Sequence, residues 1–238
     1  MSKVDETRTK LFAIELLRLL KARQSYKQLS KLLKLPVPVI SRYVNGHVLP
    51  NSKRAEGLVN LFKNKYLTDM VKAKIVSKGN DVFDFTPLVY DVNLQKLIGR
   101  IAYQEFSMMK VDKVLTAAVD GIPTAVYVGG EFGVDAVIAK KEKEIGVDDF
   151  LEEVRTISSS MINYLYIPKG AIKKDDHVLI VDDLIKTGST QEALVGLVEK
   201  AKAKVAGIFA IVLFNDAGEK LSKNLNLKCP VKSLIKLS

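Results

Sequence analysis

The stretch that most constrains this chain is Val178-Leu179-Ile180-Val181 followed at once by Asp182-Asp183. Four consecutive apolar residues, three of them β-branched, predict a strand buried on both faces, as in a parallel sheet covered by helices. Two adjacent carboxylates stand where that strand is expected to end. Leu184-Ile185-Lys186 then leads into a short loop, Thr187-Gly188-Ser189-Thr190, and Ala193, Leu194, Leu197, Val198 and Ala201 follow at helical spacing. Small hydroxyl residues and a glycine at a helix start make an anion site, because free backbone N–H groups point outward and the helix dipole adds to them. Carboxylates on one side and a phosphate cradle on the other suit a ligand carrying both hydroxyls and phosphate, as a sugar phosphate does. The bland alternative is an ordinary strand–turn–helix with solvated acids. Competing nucleotide motifs are absent: the sequence has neither a Gly-Lys pair for a Walker loop nor a G-x-G-x-x-G.

Around this stretch, strand and helix patterns alternate. Leu94, Leu97, Ile98, Ile101, Ala102 and Phe106 mark an amphipathic helix, after a segment from Asp81 to Tyr90 that reads as extended. Val111 to Val119 reads as a strand, then a helix runs to about Gly129, and Val134 to Ala139 is a second buried strand. Thr156 to Ile167 suggests a hairpin, Val205 to Phe214 another buried strand, Asp216 to Asn226 a short helix and Val231 to Leu237 a last strand. The alternation implies an α/β domain on a parallel sheet, with ligand loops at the carboxyl ends of the strands.

The 13 residues from Val178 to Thr190 resemble the signature of the type I phosphoribosyltransferases, which bind 5-phosphoribosyl-1-pyrophosphate (PRPP). The resemblance spans roughly residues 80 to 238 and implies roles by position. Asp182 and Asp183 would face the ribose hydroxyls and a Mg²⁺ held through the ligand. Leu184, Ile185 and Lys186 would be PRPP-binding residues as well, and Thr187, Gly188, Ser189 and Thr190 would hold the 5′-phosphate. Ala118, Val119, Asp120 and Gly121 resemble the family's pyrophosphate loop, whose glycine lets backbone N–H groups approach the anion. Lys140 and Lys141 correspond to a basic pair reaching the same pyrophosphate. The acidic residues 142–154 lie where the family has a lid, and the C-terminal residues where it has a hood over the base. In the enzymes that use 6-oxopurines an aspartate precedes the Thr-Gly pair; here Lys186 stands there, and no general acid is evident.

Charge divides the chain more sharply than hydrophobicity does. Residues 1–66 hold 14 Lys and Arg against 4 Asp and Glu, which accounts for the whole net charge of +10; the other 172 residues hold 23 of each sign. Such asymmetry points to an N-terminal module for a polyanion beside a neutral ligand domain. The single cysteine, Cys229, excludes an internal disulfide and fits a reducing cytoplasm. No apolar run is long enough for a bilayer, so no membrane partner is expected.

Residues 6–22 read as a helix, and Ser25-Tyr26-Lys27-Gln28 matches a capping box for a second, ending near Leu33. Pro36 to Val44 reads as a third helix stopped by Asn45-Gly46, and Asn51-Ser52 caps a fourth. Residues 67–79 are expected to continue helical as a connector. The second and third helices resemble the helix-turn-helix of repressor-type DNA-binding domains. That resemblance implies base contacts from Val37, Pro38, Ser41 and Arg42 and phosphate contacts from Lys27 and Asn45. A helix-turn-helix joined to a phosphoribosyltransferase-like domain is similar to the archaeal phosphoribosyltransferase-like transcriptional regulators, related to the bacterial purine repressor. The expectation is therefore an α/β chain of two domains: an all-α DNA-binding domain over 1–75, and a type I phosphoribosyltransferase fold over 76–238. It would be a cytoplasmic homodimer that binds double-stranded DNA and senses PRPP or a nucleotide, without efficient catalysis. The alternative is an active purine or orotate phosphoribosyltransferase with a nucleic-acid-binding extension.

Overall fold

The computed structural model describes residues 3–79, 82–158 and 161–237. The chain divides into two compact units, Met1–Lys72 and Ala73–Ser238.

The first unit is built from α1 (Lys3–Lys21), α2 (Tyr26–Leu33), α3 (Val37–Val44) and α4 (Ser52–Phe62), which runs through a π turn at Lys63–Leu67 into α5 (Thr68–Lys72). Local chemistry sets the boundaries. At α2, the Ser25 hydroxyl accepts from the Gln28 N–H at 3.3 Å while Gln28 Oε1 accepts from the Ser25 N–H at 2.7 Å, so two orphan donors are satisfied reciprocally. Pro36 and Pro38 sit at the start of α3, where their missing N–H groups leave no bond unmade. The Asn51 side chain caps α4 by accepting from the Arg54 N–H at 2.9 Å. Leu17, Leu29, Ile40 and Phe62 fill the core, and Arg18 Nε donates to the Val44 carbonyl at 2.7 Å, tying α1 to the end of α3. The helical connector expected over 67–79 is not formed. The helix ends at Lys72, and β1 (Val76–Gly79) pairs antiparallel with β2 (Val82–Asp84). After Val71 only Ile75 keeps the helical period, and Gly79 adopts a φ of +83° that helix interiors do not use.

The second unit is organised by a five-stranded sheet in the order β4-β3-β7-β8-β9, parallel at every pairing. Its strands are β3 (Lys113–Ala117), β4 (Ala136–Ala139), β7 (His177–Ile185), β8 (Lys204–Phe214) and β9 (Val231–Leu237). The helices are α6 (Thr86–Val89), α7 (Val92–Phe106), α8 (Ile122–Phe132), α9 (Ser189–Lys200) and α10 (Ala217–Asn224). Val178 to Val181 are fully buried at the centre, as their run of apolar side chains requires. Each such residue contributes roughly 1.5–3 kcal/mol of burial. From β3 the chain steps outward to β4, then returns to the other side of β3 to lay down β7, β8 and β9. The order therefore reverses between β3 and β7, and a crevice opens there at the carboxyl ends of the strands. No described helix is long and apolar enough to cross a membrane.

Three expectations about this unit are corrected. The acidic segment 142–154 is not all lid, since from Phe150 it forms β5 (Phe150–Ser158), which pairs antiparallel with β6 (Met161–Pro168). Alternating residues such as Leu151, Glu152 and Glu153 suit a strand with one face against α9, and charge masked that pattern. Nor is Val231–Leu237 a hood, because it is the edge strand of the main sheet, parallel to β8. At the carboxyl end of β8 the Phe83 ring, from β2, lies 5.1 Å from that of Phe214. The segment expected to be extended from Asp81 to Tyr90 thus contains β2 and then α6, whose first turn is held by Asp84 Oδ1 accepting from the Thr86 N–H at 2.9 Å.

At Gly207 on β8, a Cβ would run into the ring of Phe106 on α7. Gly207→Ala should therefore destabilise the fold by about 1–3 kcal/mol. The check is a lowered urea midpoint at unchanged slope, and adding Phe106→Leu should recover much of the loss.

Candidate active site

At the crevice, β7 loses one neighbour before the other. Its pairing with β3 is recorded through Ile180, while its pairing with β8 continues through Ile185. Asp182 and Asp183 therefore lie inside the strand rather than beyond its end, held by β8 on one side and open on the other. This is a small correction to the sequence reading, which saw only that apolar residues stop at Val181. The opening is a cleft of about 460 Å³ lined by Ala117, Asp120, Lys141, Arg155, Asp183 and Thr190 among others.

Asp182 is 7% exposed, and both its oxygens are engaged. Oδ1 accepts from the Asp183 N–H at 3.0 Å, and Oδ2 accepts from Gln191 Nε2 at 2.6 Å. Gln191 lies in the first turn of α9 and is itself buried. Burial drives the Asp182 carboxyl well above the usual range, the Asp183 charge raises it further, and the Arg155 charge opposes both. Burial also raises Asp183, with Asp120 adding to the effect. The two carboxyls share one buried site, and burial leaves both reluctant to ionise.

Across the cleft, Ala118, Val119, Asp120 and Gly121 form the loop between β3 and α8, and all four line it. A Cβ at Gly121 would collide with Thr116 Oγ1 and crowd Asp182 Oδ1, so only glycine lets this backbone lie against the acid. Lys141 lines the same cleft. Lys140 does not; it borders a neighbouring cleft of about 370 Å³ and pairs with Glu144 at 2.7 Å. The predicted basic pair is thus split, with Lys141 alone facing the acids.

The loop Thr187–Thr190 enters α9 as its sequence suggests. Gly188 takes a φ of +90° at the helix start, a conformation that disfavours any other residue. Thr187 Oγ1 lies 3.4 Å from the Ser189 N–H, leaving the next N–H groups of the first turn without helical acceptors. Of this loop only Thr190 reaches the acid cleft, and Leu184 lines it as well. Ile185 is fully buried in the core, so its expected place among the ligand contacts is corrected. Lys186 is exposed and its ammonium sits 5.7 Å from the centre of the Phe214 ring. Arg155 and Gln191 were not anticipated: Arg155 lay between the segment read as lid and the expected hairpin, and Gln191 in a helix read for its apolar face.

The residues assigned to nucleic acid all lie in the first unit. Lys27, Val37, Pro38, Arg42 and Asn45 are exposed, Ser41 is half-buried, and Asn45 Nδ2 donates to Ser41 Oγ at 3.3 Å.

The raised Asp182 pKa fixes the sign of a pH effect. A carboxyl that holds its proton more tightly when folded stabilises the protein fully below the ordinary aspartate value. That contribution is lost as pH rises through the raised folded value, so at neutral pH the buried charge is a cost. Asp182→Asn should therefore raise the neutral-pH melting temperature, by roughly 2–4 °C for each kcal/mol relieved, and flatten its dependence on pH. Gln191 can turn its amide to accept from the new Asn, so the hydrogen bond survives. A melting temperature that fell in the variant would contradict the account.

Residues 90–236 match the family described as the phosphoribosyl transferase domain. A xanthine phosphoribosyltransferase of Bacillus cytotoxicus is 33% identical over 163 residues, covering 64% of this chain and 83% of that protein. One from Streptococcus equi subsp. zooepidemicus is 30% identical over 149 residues, covering 61% and 77%. Among solved structures, an adenine phosphoribosyltransferase from Thermoanaerobacter pseudethanolicus superposes with a TM-score of 0.63 at 23% identity, covering 71% of this chain and 99% of that one. These findings correct the expectation of a DNA-binding transcriptional regulator without efficient catalysis, since the relatives sharing the ligand domain are named as enzymes and favour the catalytic alternative. That expectation gave great weight to Lys186 replacing an aspartate. A diphosphate, however, leaves readily once its charge is neutralised, and one missing general acid does not disable such a site. The acid pair, the glycine loop and the glycine-turned start of α9 at the sheet's reversal point agree with the matches, and the chain belongs to the phosphoribosyltransferase family, with the type I fold.

Proposed function

We propose that this chain is a purine phosphoribosyltransferase, moving the 5-phosphoribosyl group of PRPP onto a ring nitrogen of an oxopurine, with xanthine the first base to test. The observation that carries the reading is the 33% identity to a xanthine phosphoribosyltransferase across the segment that builds the cleft. In the transfer, the bond from the ribose C1 to a diphosphate oxygen breaks as the base nitrogen bonds to C1. Pyrophosphate leaves with the electron pair, and the nitrogen's proton passes to solvent.

Each part of the cleft has a task in that reaction. The first-turn N–H groups of α9 take the 5′-phosphate. Asp182, fixed by Gln191 and by the Asp183 amide, supports Asp183 in accepting hydrogen bonds from the ribose hydroxyls. The loop Ala118–Gly121 and Lys141 take the diphosphate. Positive charge then accumulates on the ribose as the bond breaks, beside ionised carboxylates that favour it.

The same carboxylates suit Mg²⁺, which binds through one or two carboxylates together with substrate phosphates. Among the described residues no group of three or more acidic, histidine or cysteine side chains forms a metal site by itself. A pair of buried carboxylates, each made reluctant to ionise, is relieved by a cation brought in with the sugar diphosphate. Bound there, Mg²⁺ would neutralise the leaving diphosphate.

Purified protein incubated with PRPP, Mg²⁺ and each of xanthine, guanine, hypoxanthine, adenine and orotate should form a purine nucleotide and pyrophosphate. Absence of nucleotide with every base would overturn the reading. Activity should also fall as pH drops through the raised carboxyl pair, because a protonated Asp182–Asp183 pair no longer attracts the cation. An acid limb that persists unchanged in Asp183→Asn would assign that limb to another group.

A further inference from the structure

We propose that Arg155 is an additional ligand of the diphosphate in this cleft, resting on the reading of the cleft as the PRPP site. Arg155 lies on β5, outside the loops that the sequence pattern marks for phosphate, yet its side chain lines the cleft with Asp120, Lys141, Asp182 and Asp183. Its Nε is buried and has no hydrogen-bond partner among the described residues. A buried guanidinium N–H left unmatched is costly unless a ligand completes it.

The arrangement of β5 explains how the side chain arrives there. Glu153, two residues earlier and on the same face, packs against Gly196 of α9 and pairs with Lys200 at 3.0 Å. Arg155 is thereby carried toward the start of α9, on the side where the cleft opens. Glu153 is committed to Lys200, and Asp182 to Gln191 and the Asp183 amide. Asp120 and Asp183 line the cleft beside the guanidinium, yet neither bonds its Nε.

Which phosphate it serves follows from the lining. Of the helix-borne loop only Thr190 borders this cleft, whereas Ala118, Val119, Asp120, Gly121 and Lys141 all do. The cleft is the diphosphate side, and it holds three carboxylates against two cations, Lys141 and Arg155. A diphosphate entering there meets more negative charge than positive, so each cation matters. The planar fork of Arg155 offers Nε–H and an Nη–H as parallel donors to two oxygens, a geometry that a lysine lacks.

The test uses the full chain and two probes that need no turnover, Mg²⁺-pyrophosphate and ribose 5-phosphate, titrated calorimetrically into wild type, Arg155→Lys and Arg155→Ala. Circular dichroism confirms that each variant folds, and Arg155→Lys serves if Arg155→Ala does not. The expected result is at least a tenfold loss of pyrophosphate affinity in Arg155→Ala, a smaller loss in Arg155→Lys, and unchanged ribose 5-phosphate binding. Equal loss of both probes, loss of ribose 5-phosphate alone, or no loss at all would overturn the assignment. Wild type that binds both probes but makes no nucleotide from any base would sink the proposed enzyme while leaving Arg155 as a diphosphate ligand.

Discussion

Two neighbouring carboxylates in the interior of a parallel sheet are an unfavourable arrangement, and the second unit is built around tolerating it. A strand buried on both faces ordinarily carries only apolar side chains. Here the strand keeps its partner on one side, loses it on the other, and turns its next residues to a crevice. Asp182 is fixed by an amide from its own neighbour and by a glutamine from the following helix. The remaining cost is electrostatic, and a cation or a set of hydroxyl donors can offset it. The site is thus poised for its ligand by the same burial that makes it costly to hold empty.

That constraint explains the surrounding loops. The β3–α8 loop can approach Asp182 only because Gly121 has no side chain to collide with Thr116. The α9 start can present its amides only because Gly188 turns the chain through a left-handed conformation. On the far side, the β5–β6 hairpin delivers an arginine where a second cation offsets the local excess of negative charge. None of these elements is close to the others in sequence. The reversal of strand order between β3 and β7 brings them together.

Much of this was legible in the residues themselves. The buried strand, the acid pair, the glycine-hinged loop before α9 and β9 could be read from runs of β-branched residues and from turn chemistry. The caps at Ser25 and Asn51 were equally plain, because each depends on residues three positions apart. The misreadings have a common cause. Glu153 looked like part of a lid, although its partner, Lys200, comes from the far end of α9. Lys140 and Lys141 looked equivalent, and Glu144 removes one of them. Sequence shows a charge but not its partner. The functional misreading was of the same kind: a basic N-terminal quarter and one missing aspartate were weighed above a ligand domain whose relatives are named as enzymes.

The hydrogen bond from Gln191 to Asp182 has a further consequence for what the protein can hold. It joins the buried carboxylate of β7 to the first turn of α9, across a buried and well-packed boundary. Those two anchor points therefore stand at a fixed separation, like the marks of a ruler. Whatever occupies the cleft meets the acid and the start of that helix at one spacing.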